Sequence, residues 1–209
     1  MISFQMMRVS TYNDPIPYIY IENLYTEFEL QKIWYELDYY QSNGDVLIKD
    51  NITTSPAKDE DGNTQTIKSS VFLDDMFYER KMSSILTLSR KIFADNIICR
   101  NPNSWFFKEF WPDRDSTLVS YYENGDVYNP HADTANVSVI TWLYKEPKKF
   151  VRGNLVFPDH DMIFECKNNH AIAFPGAAVH AVDSIIMDED DCGLGLGRYS
   201  ISQFLSYEK

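Results

Sequence analysis

The sequence predicts a mainly β protein with flanking helices, its strands arranged as a double-sheet jelly roll. Two stretches of helical periodicity occupy the first half of the chain. From residue 104 onward about eight short β-type runs follow one another, separated by turn signals. Hydrophobic residues make up 44% of the 209 and aromatics 15%, enough for a sizeable core. Helices followed by many short strands imply an all-β core with helices packed outside, and two facing sheets bury both inner faces economically. No linker divides the chain. Residues 1–209 therefore read as one domain, with 1–103 supplying an N-terminal strand and supporting helices and 104–209 the jelly-roll core.

Residues 16–22 (IPYIYIE) are β-branched and aromatic and predict a strand. Thr26-x-x-Glu29 is a capping box that opens a helix over about 27–40, whose Leu30, Ile33, Trp34 and Leu37 form one apolar stripe. Residues 41–65 are polar and contain Asp59-Glu60-Asp61-Gly62-Asn63, a loop or hairpin tip. Met82, Ile85, Leu86, Ile92, Phe93 and Ile97 recur at helical spacing and predict a second helix over about 75–98. Strands are expected at 104–110, 116–122, 137–144, 154–157, 162–166, 170–174, 179–185 and 198–207.

Nineteen Lys and Arg against 31 Asp and Glu give a net charge of −12. Such a surface disfavours nucleic acid and anionic membranes as partners, because both are bound mainly through basic side chains. No window approaches the ~20 apolar residues that span a bilayer. MISFQMMRVSTYNDP lacks a basic segment followed by an apolar stretch. Cys99, Cys166 and Cys192 lie far apart with no CxxC, so reduced thiols in a cytoplasmic protein are expected. Oligomeric state is not encoded in any pattern we find.

His131-Ala132-Asp133 places an imidazole and a carboxylate on one side of an extended segment, two of three ligands for a divalent metal. His180 starts a late strand in AFPGAAVHAV. Two histidines and one carboxylate match the facial triad of non-haem Fe(II) oxygenases, which leaves coordination positions open. His160 and His170 lie beside turn residues and are read as surface or locally bonded groups. Arg198 and Ser200 again sit at i and i+2 of a strand, a guanidinium and a hydroxyl suited to a buried carboxylate.

These residues carry a family resemblance. Tyr121-Tyr122-Glu123-Asn124-Gly125-Asp126, then Tyr128 and His131-x-Asp133, resembles the opening of a 2-oxoglutarate- and Fe(II)-dependent oxygenase domain of the prolyl 4-hydroxylase type. Gly153-Asn154-Leu155-Val156-Phe157-Pro158 resembles its Gly-Gly-x-Leu-x-Phe strand, with Asn154 in place of a second glycine. Phe174-Pro175-Gly176 with His180-Ala181-Val182, and Gly197-Arg198-Tyr199-Ser200, resemble its second-histidine and closing segments. The order agrees over residues 117–205. Arg198 follows His180 by 18 residues, where the family has about ten. The acidic, Gly-rich stretch within 183–197 reads as an inserted loop, which costs little free energy.

The resemblance implies a double-stranded β-helix, a jelly-roll variant. It implies Fe(II) held by His131, Asp133 and His180, and 2-oxoglutarate held by Arg198, Ser200 and Tyr121. It implies O2 as co-substrate, ascorbate as a reductant and hydroxylation of a C–H bond, with a prolyl residue in a peptide or protein as the expected substrate. Tyr128 would face the substrate, and Trp142 is a candidate pocket aromatic. A free amino acid or small metabolite is the alternative substrate. A non-catalytic jelly-roll binding module and a cupin-like metal enzyme independent of 2-oxoglutarate are the rival functions. Segment 183–197, with Gly193, Gly195 and Gly197, is read as a lid or a plain surface loop.

Overall fold

A computed structural model describes residues 6–94 and 96–207. Part of the N-terminal stretch read above and Asp95 of the second predicted helix lie outside the described residues. The strands in chain order are β1 (Arg8–Tyr12), β2 (Tyr18–Glu22), β3 (Ile48–Lys49), β4 (Thr66–Ile67), β5 (Ser69–Phe72), β6 (Arg114–Tyr122), β7 (Val127–His131) and β8 (Val137–Leu143). They continue as β9 (Phe150–Val151), β10 (Leu155–Phe157), β11 (Met162–Phe164), β12 (His170–Pro175), β13 (His180–Val182), β14 (Ile186–Met187) and β15 (Arg198–Ser206). Three short or regular helices, α1 (Glu27–Ser42), α2 (Leu73–Met76) and α3 (Ser84–Leu88), precede the strand-rich half.

An eight-stranded sheet runs β1-β2-β12-β8-β15-β6-β5-β3, and a five-stranded sheet runs β11-β10-β13-β7-β4. The pairings within both sheets are antiparallel. The two sheets face each other as a jelly roll, a double-stranded β-helix. Strand β8 shows why the large sheet is buried on both sides. Val137, Val139 and Leu143 point toward the helices, whereas Ile140 and Trp142 point between the sheets. This is the period-2 alternation of a strand with a core on each face.

Helix α1 starts where the capping box places it. The Thr26 hydroxyl accepts from the Glu29 N–H, and the Glu29 carboxylate accepts from the Thr26 N–H at 2.7 Å. Ile33, Leu37 and Tyr40 of α1 are buried against the large sheet's outer face. The second helix expected over 75–98 is corrected to short pieces: α2, a 3₁₀ turn at Arg80–Met82, α3 and a 3₁₀ stretch at Ser89–Phe93. Ser83 breaks it, because its hydroxyl caps the Leu86 N–H and restarts the chain. The Glu36 carboxylate of α1 also accepts from the Ile85 N–H, holding the new start in place. The apolar spacing was real, since Ile85, Leu86 and Ile92 are buried, but tertiary contacts override one continuous helix.

The strand expected at 104–110 is also corrected. Ser104 accepts from the Phe106 and Phe107 N–H groups, and Phe107–Glu109 is a 3₁₀ turn. The other strands occur within a few residues of their expected places. The first half contributes more strand than expected, since β1, β3 and β5 join the expected β2 in the large sheet. Among the described residues, no helix is long and apolar enough to cross a membrane. Cys166 and Cys192 are free thiols.

The inserted stretch is not a lid over the cavity described below. Gly125 N–H donates to Ile185 O at 2.9 Å, Ile185 N–H donates to Asp126 O at 3.0 Å, and β14 pairs with β9. Ile185 and Met187 are buried between the sheets. The insertion is therefore anchored by its apolar residues in the core between the sheets, and none of its residues lines the cavity.

Candidate metal and co-substrate site

The two histidines meet because strands β7 and β13 pair. His131 ends β7, His180 opens β13, and the two are directly opposite in the register. Asp133 lies just beyond β7, on the turn toward β8. Its N–H donates to Gly176 O at 2.8 Å, and Ser138 Oγ donates to its Oδ2. Gly176 N–H in turn donates to Asn136 O. A Cβ at Gly176 would stand 2.1 Å from Ala135 O, so only glycine lets the turn carrying Asp133 lie this close. Gly176→Ala is accordingly expected to destabilise the fold by about 2 kcal/mol and lower divalent-metal affinity more than tenfold. Denaturant unfolding and a metal titration check both.

His180 Nε2 lies 3.4 Å from Asp133 Oδ2, and His131 Nε2 lies 3.8 Å from Asp133 Oδ1. One donor atom from each of the three groups lies within 4.8 Å of the others. His131 Nδ1 bonds Asn129 O at 2.8 Å and His180 Nδ1 bonds Ala178 O at 2.9 Å. A carbonyl only accepts, so each Nδ1 carries the proton and each Nε2 turns a lone pair toward the common point. The His180 ring is packed edge-on by Phe174, and Tyr128 stacks on His131 with centroids 3.5 Å apart.

Burial, and secondarily His180, pushes the His131 imidazole down to about 3, and burial also lowers His180. Both rings therefore stay neutral, as metal ligation requires. In the unfolded chain they bind protons below about pH 6.5. The folded chain then holds fewer protons than the unfolded one as pH falls from about 6.5 toward 3, and stability falls with it. The loss for each such ring is up to about 1.4 kcal/mol per pH unit. His131→Asn should flatten this acid slope in melting curves of metal-free protein.

A cavity of about 970 Å³ runs between the sheets from this triad. Alternation along β15 aims Arg198, Ser200, Ser202 and Phe204 into it and Tyr199, Ile201 and Leu205 away from it. Arg198 is fully buried, with its guanidinium carbon 4.8 Å from the centre of the Tyr122 ring. Among the described residues no acceptor completes a hydrogen bond to any of its three nitrogens. Gly153 makes room for its stem, since a Cβ there would stand 3.0 Å from Arg198 Cδ. A buried cation with no acceptor is costly, and its position on the cavity wall fits an anionic ligand such as a carboxylate. The donor set of two imidazoles and one carboxylate fits Fe(II).

Six of the eight residues singled out from sequence line this cavity: His131, Asp133, His180, Arg198, Ser200 and Tyr128. Tyr121 does not. It pairs with Tyr199 on the helix-facing side, its hydroxyl donating to Glu123 Oε1 and accepting from Gly197 N–H. Its neighbour Tyr122, opposite Arg198, reaches the cavity instead. The correction follows from strand parity, because adjacent residues point to opposite faces. Trp142 is likewise corrected to the core between the sheets, beside Tyr20, and does not line the cavity. Lys68 is the residue that sequence reading missed. It is buried on the cavity wall, yet TIKSS carries no signal separating it from a surface lysine.

No model of a known protein family matches this sequence, and no curated protein does. Solved structures match at low identity. A prolyl-4-hydroxylase from Pseudomonas putida superposes with a TM-score of 0.56 at 12% identity, over 92% of this chain and 93% of its own. The viral collagen prolyl hydroxylase of Paramecium Bursaria Chlorella virus-1, in complex with 2-oxoglutarate, gives 0.54 at 12% identity, over 91% and 96%. A 2OG-Fe(II) oxygenase family oxidoreductase from Burkholderia pseudomallei gives 0.55 at 14% identity, over 90% and 83%. At these identities the likeness establishes the double-stranded β-helix fold.

Proposed function

We propose that this chain is an Fe(II)- and 2-oxoglutarate-dependent dioxygenase that hydroxylates a C–H bond, with a prolyl residue of a peptide or protein as its substrate. One observation carries the reading. Three donor atoms of His131, Asp133 and His180 converge on one wall of a cavity that also holds a fully buried Arg198, without a hydrogen-bond acceptor among the described residues. The two prolyl hydroxylases among the similar structures support the substrate class. So does the cavity, which continues past the triad along Phe72, Leu118 and Phe204 to Arg80 and Arg90 and leaves room for more than a five-carbon keto acid.

When bound, Fe(II) with 2-oxoglutarate and O2 supplies the oxidising power, releasing succinate and CO2 and delivering one oxygen atom to the substrate. The chain's residues do the rest. His131 and His180 hold the metal through Nε2, and Asp133 supplies the one negative charge, kept in aim by Ser138. Arg198 binds the distal carboxylate of the keto acid, with Ser200 beside it, and Tyr122 supports the guanidinium face. Ile140, Leu118 and Phe204 exclude water from the reacting atoms. Tyr128 faces the substrate side and accepts from the Ala57 N–H, tying residues 54–57 to the cavity mouth.

The test is succinate release against a panel of proline-containing peptides, with and without 2-oxoglutarate. Turnover with a peptide that requires the keto acid supports the full reading. Turnover only with a free amino acid or small metabolite keeps the reaction and replaces the substrate. Anaerobic Fe(II) plus 2-oxoglutarate should also give a weak visible absorption band that His131→Ala loses. A protein showing neither band nor succinate is a binding module.

A further inference from the structure

Lys68 links the two sheets. It follows β4, which pairs with β7 in the small sheet, and precedes β5, which pairs with β6 in the large one. Its backbone is fixed there by Asp50, whose N–H donates to Lys68 O at 2.8 Å. The side chain crosses the wall of the cavity and is 5% exposed. Among the described residues no carboxylate comes within ion-pair distance of its ammonium, and the carboxylate that acts on its charge is Asp133 of the triad. Aromatic faces surround it, with Nζ 4.7 Å from the centre of the Tyr128 ring and 5.7 Å from that of Tyr122.

These rings also order the cavity. Tyr128 stacks on the metal-site histidine His131, and Tyr122 carries the guanidinium of Arg198. Lys68 stands nearer the Tyr128 ring, so it marks the triad end and Arg198 the far end. A cavity with a cation toward each end is built for a ligand with an anion at each end. Two buried cations in one space also repel each other. Burial and the Arg198 charge disfavour the charged form of the Lys68 amine, and the Asp133 carboxylate favours it. A dianion between them relieves both costs.

We infer that Lys68 is a second anchor for the keto acid, holding the carboxylate nearer the metal while Arg198 holds the distal one. The inference rests on the function proposed above and assigns a residue that the motifs around the triad do not contain. Lys68 comes from the first third of the chain, outside the segment 117–205 that carries the motifs.

Calorimetric binding to protein loaded with Zn(II), which does not turn over, separates the two ends. The probes are 2-oxoglutarate and 2-oxobutyrate, which keeps the 2-oxo carboxylate and lacks the distal one. Lys68→Met should weaken both probes by about ten- to hundredfold, the worth of one charge-assisted contact. Arg198→Met should weaken only 2-oxoglutarate. Lys68→Arg, which keeps the charge, should recover most of the loss. Removing an unpaired buried charge should leave the Lys68→Met melting temperature no lower than that of the wild type, so lost binding is not lost fold. Unchanged 2-oxoglutarate binding in Lys68→Met overturns the assignment while leaving the proposed function standing. Weakening of 2-oxoglutarate alone overturns it too, by moving Lys68 to the distal end. A wild type that binds neither probe overturns the proposed function and this assignment with it.

Discussion

Asp133→Ala is expected to abolish divalent-metal binding and all turnover while leaving the fold intact. The two imidazoles that remain are neutral, because burial lowers the protonation of both. They offer lone pairs but no charge to balance a dication. The carboxylate supplies the charge and is the group both Nε2 atoms approach, at 3.4 and 3.8 Å. Its removal should cost more than the roughly hundredfold that loss of a supporting residue around a metal costs. Asp133→Asn should fail almost as badly, since it keeps the shape and removes the charge. The side chain sits on a turn at the cavity's edge and packs no core, so circular dichroism and melting temperature should hardly change. Anaerobic titration with Fe(II) is the measurement. Retention of wild-type affinity would place any bound metal elsewhere.

Arg198→Met is expected to move two properties in opposite directions. The wild-type guanidinium is fully buried and, among the described residues, has no hydrogen-bond acceptor, so in the ligand-free chain its charge is poorly compensated. Methionine retains much of the stem packing against Gly153 and the Tyr122 ring and removes that charge. Replacing a poorly compensated buried charge by an apolar side chain is stabilising by about 1 kcal/mol or more. The ligand-free variant should therefore melt at a higher temperature than the wild type. Under the proposed function, affinity for 2-oxoglutarate should fall about a hundredfold or more, because the distal carboxylate would lose the guanidinium proposed to hold it. The added thermal stability that 2-oxoglutarate confers on the wild type should disappear with it. A variant that melts lower and binds the keto acid equally well would show Arg198 to be a structural group.

Local chemistry explains why the site was largely readable. His131 and Asp133 are two residues apart, as are Arg198 and Ser200, and extended chain puts such pairs on one side whatever else the fold does. The Thr26–Glu29 box specifies a helix start through bonds within four residues. The long helix over 75–98 was misread for the complementary reason. Its apolar spacing is sound, but a Ser83 cap and the Glu36 carboxylate of another helix cut it, and the second of these is a contact across 49 residues.

The amino-acid sequence alone determined a strand-rich jelly roll and the His131/Asp133 and Arg198/Ser200 pairs, because those features rest on strand periodicity and on neighbours in the chain, whereas the pairing of β13 with β7 brings His180 to the first pair. Tertiary structure decided which face of β6 meets the cavity, and hence Tyr122 over Tyr121. It also placed Trp142 and the apolar residues of the acidic insertion in the core and Lys68 on the cavity wall. Each of these depends on register between strands far apart in sequence, where a shift of one residue exchanges inside for outside.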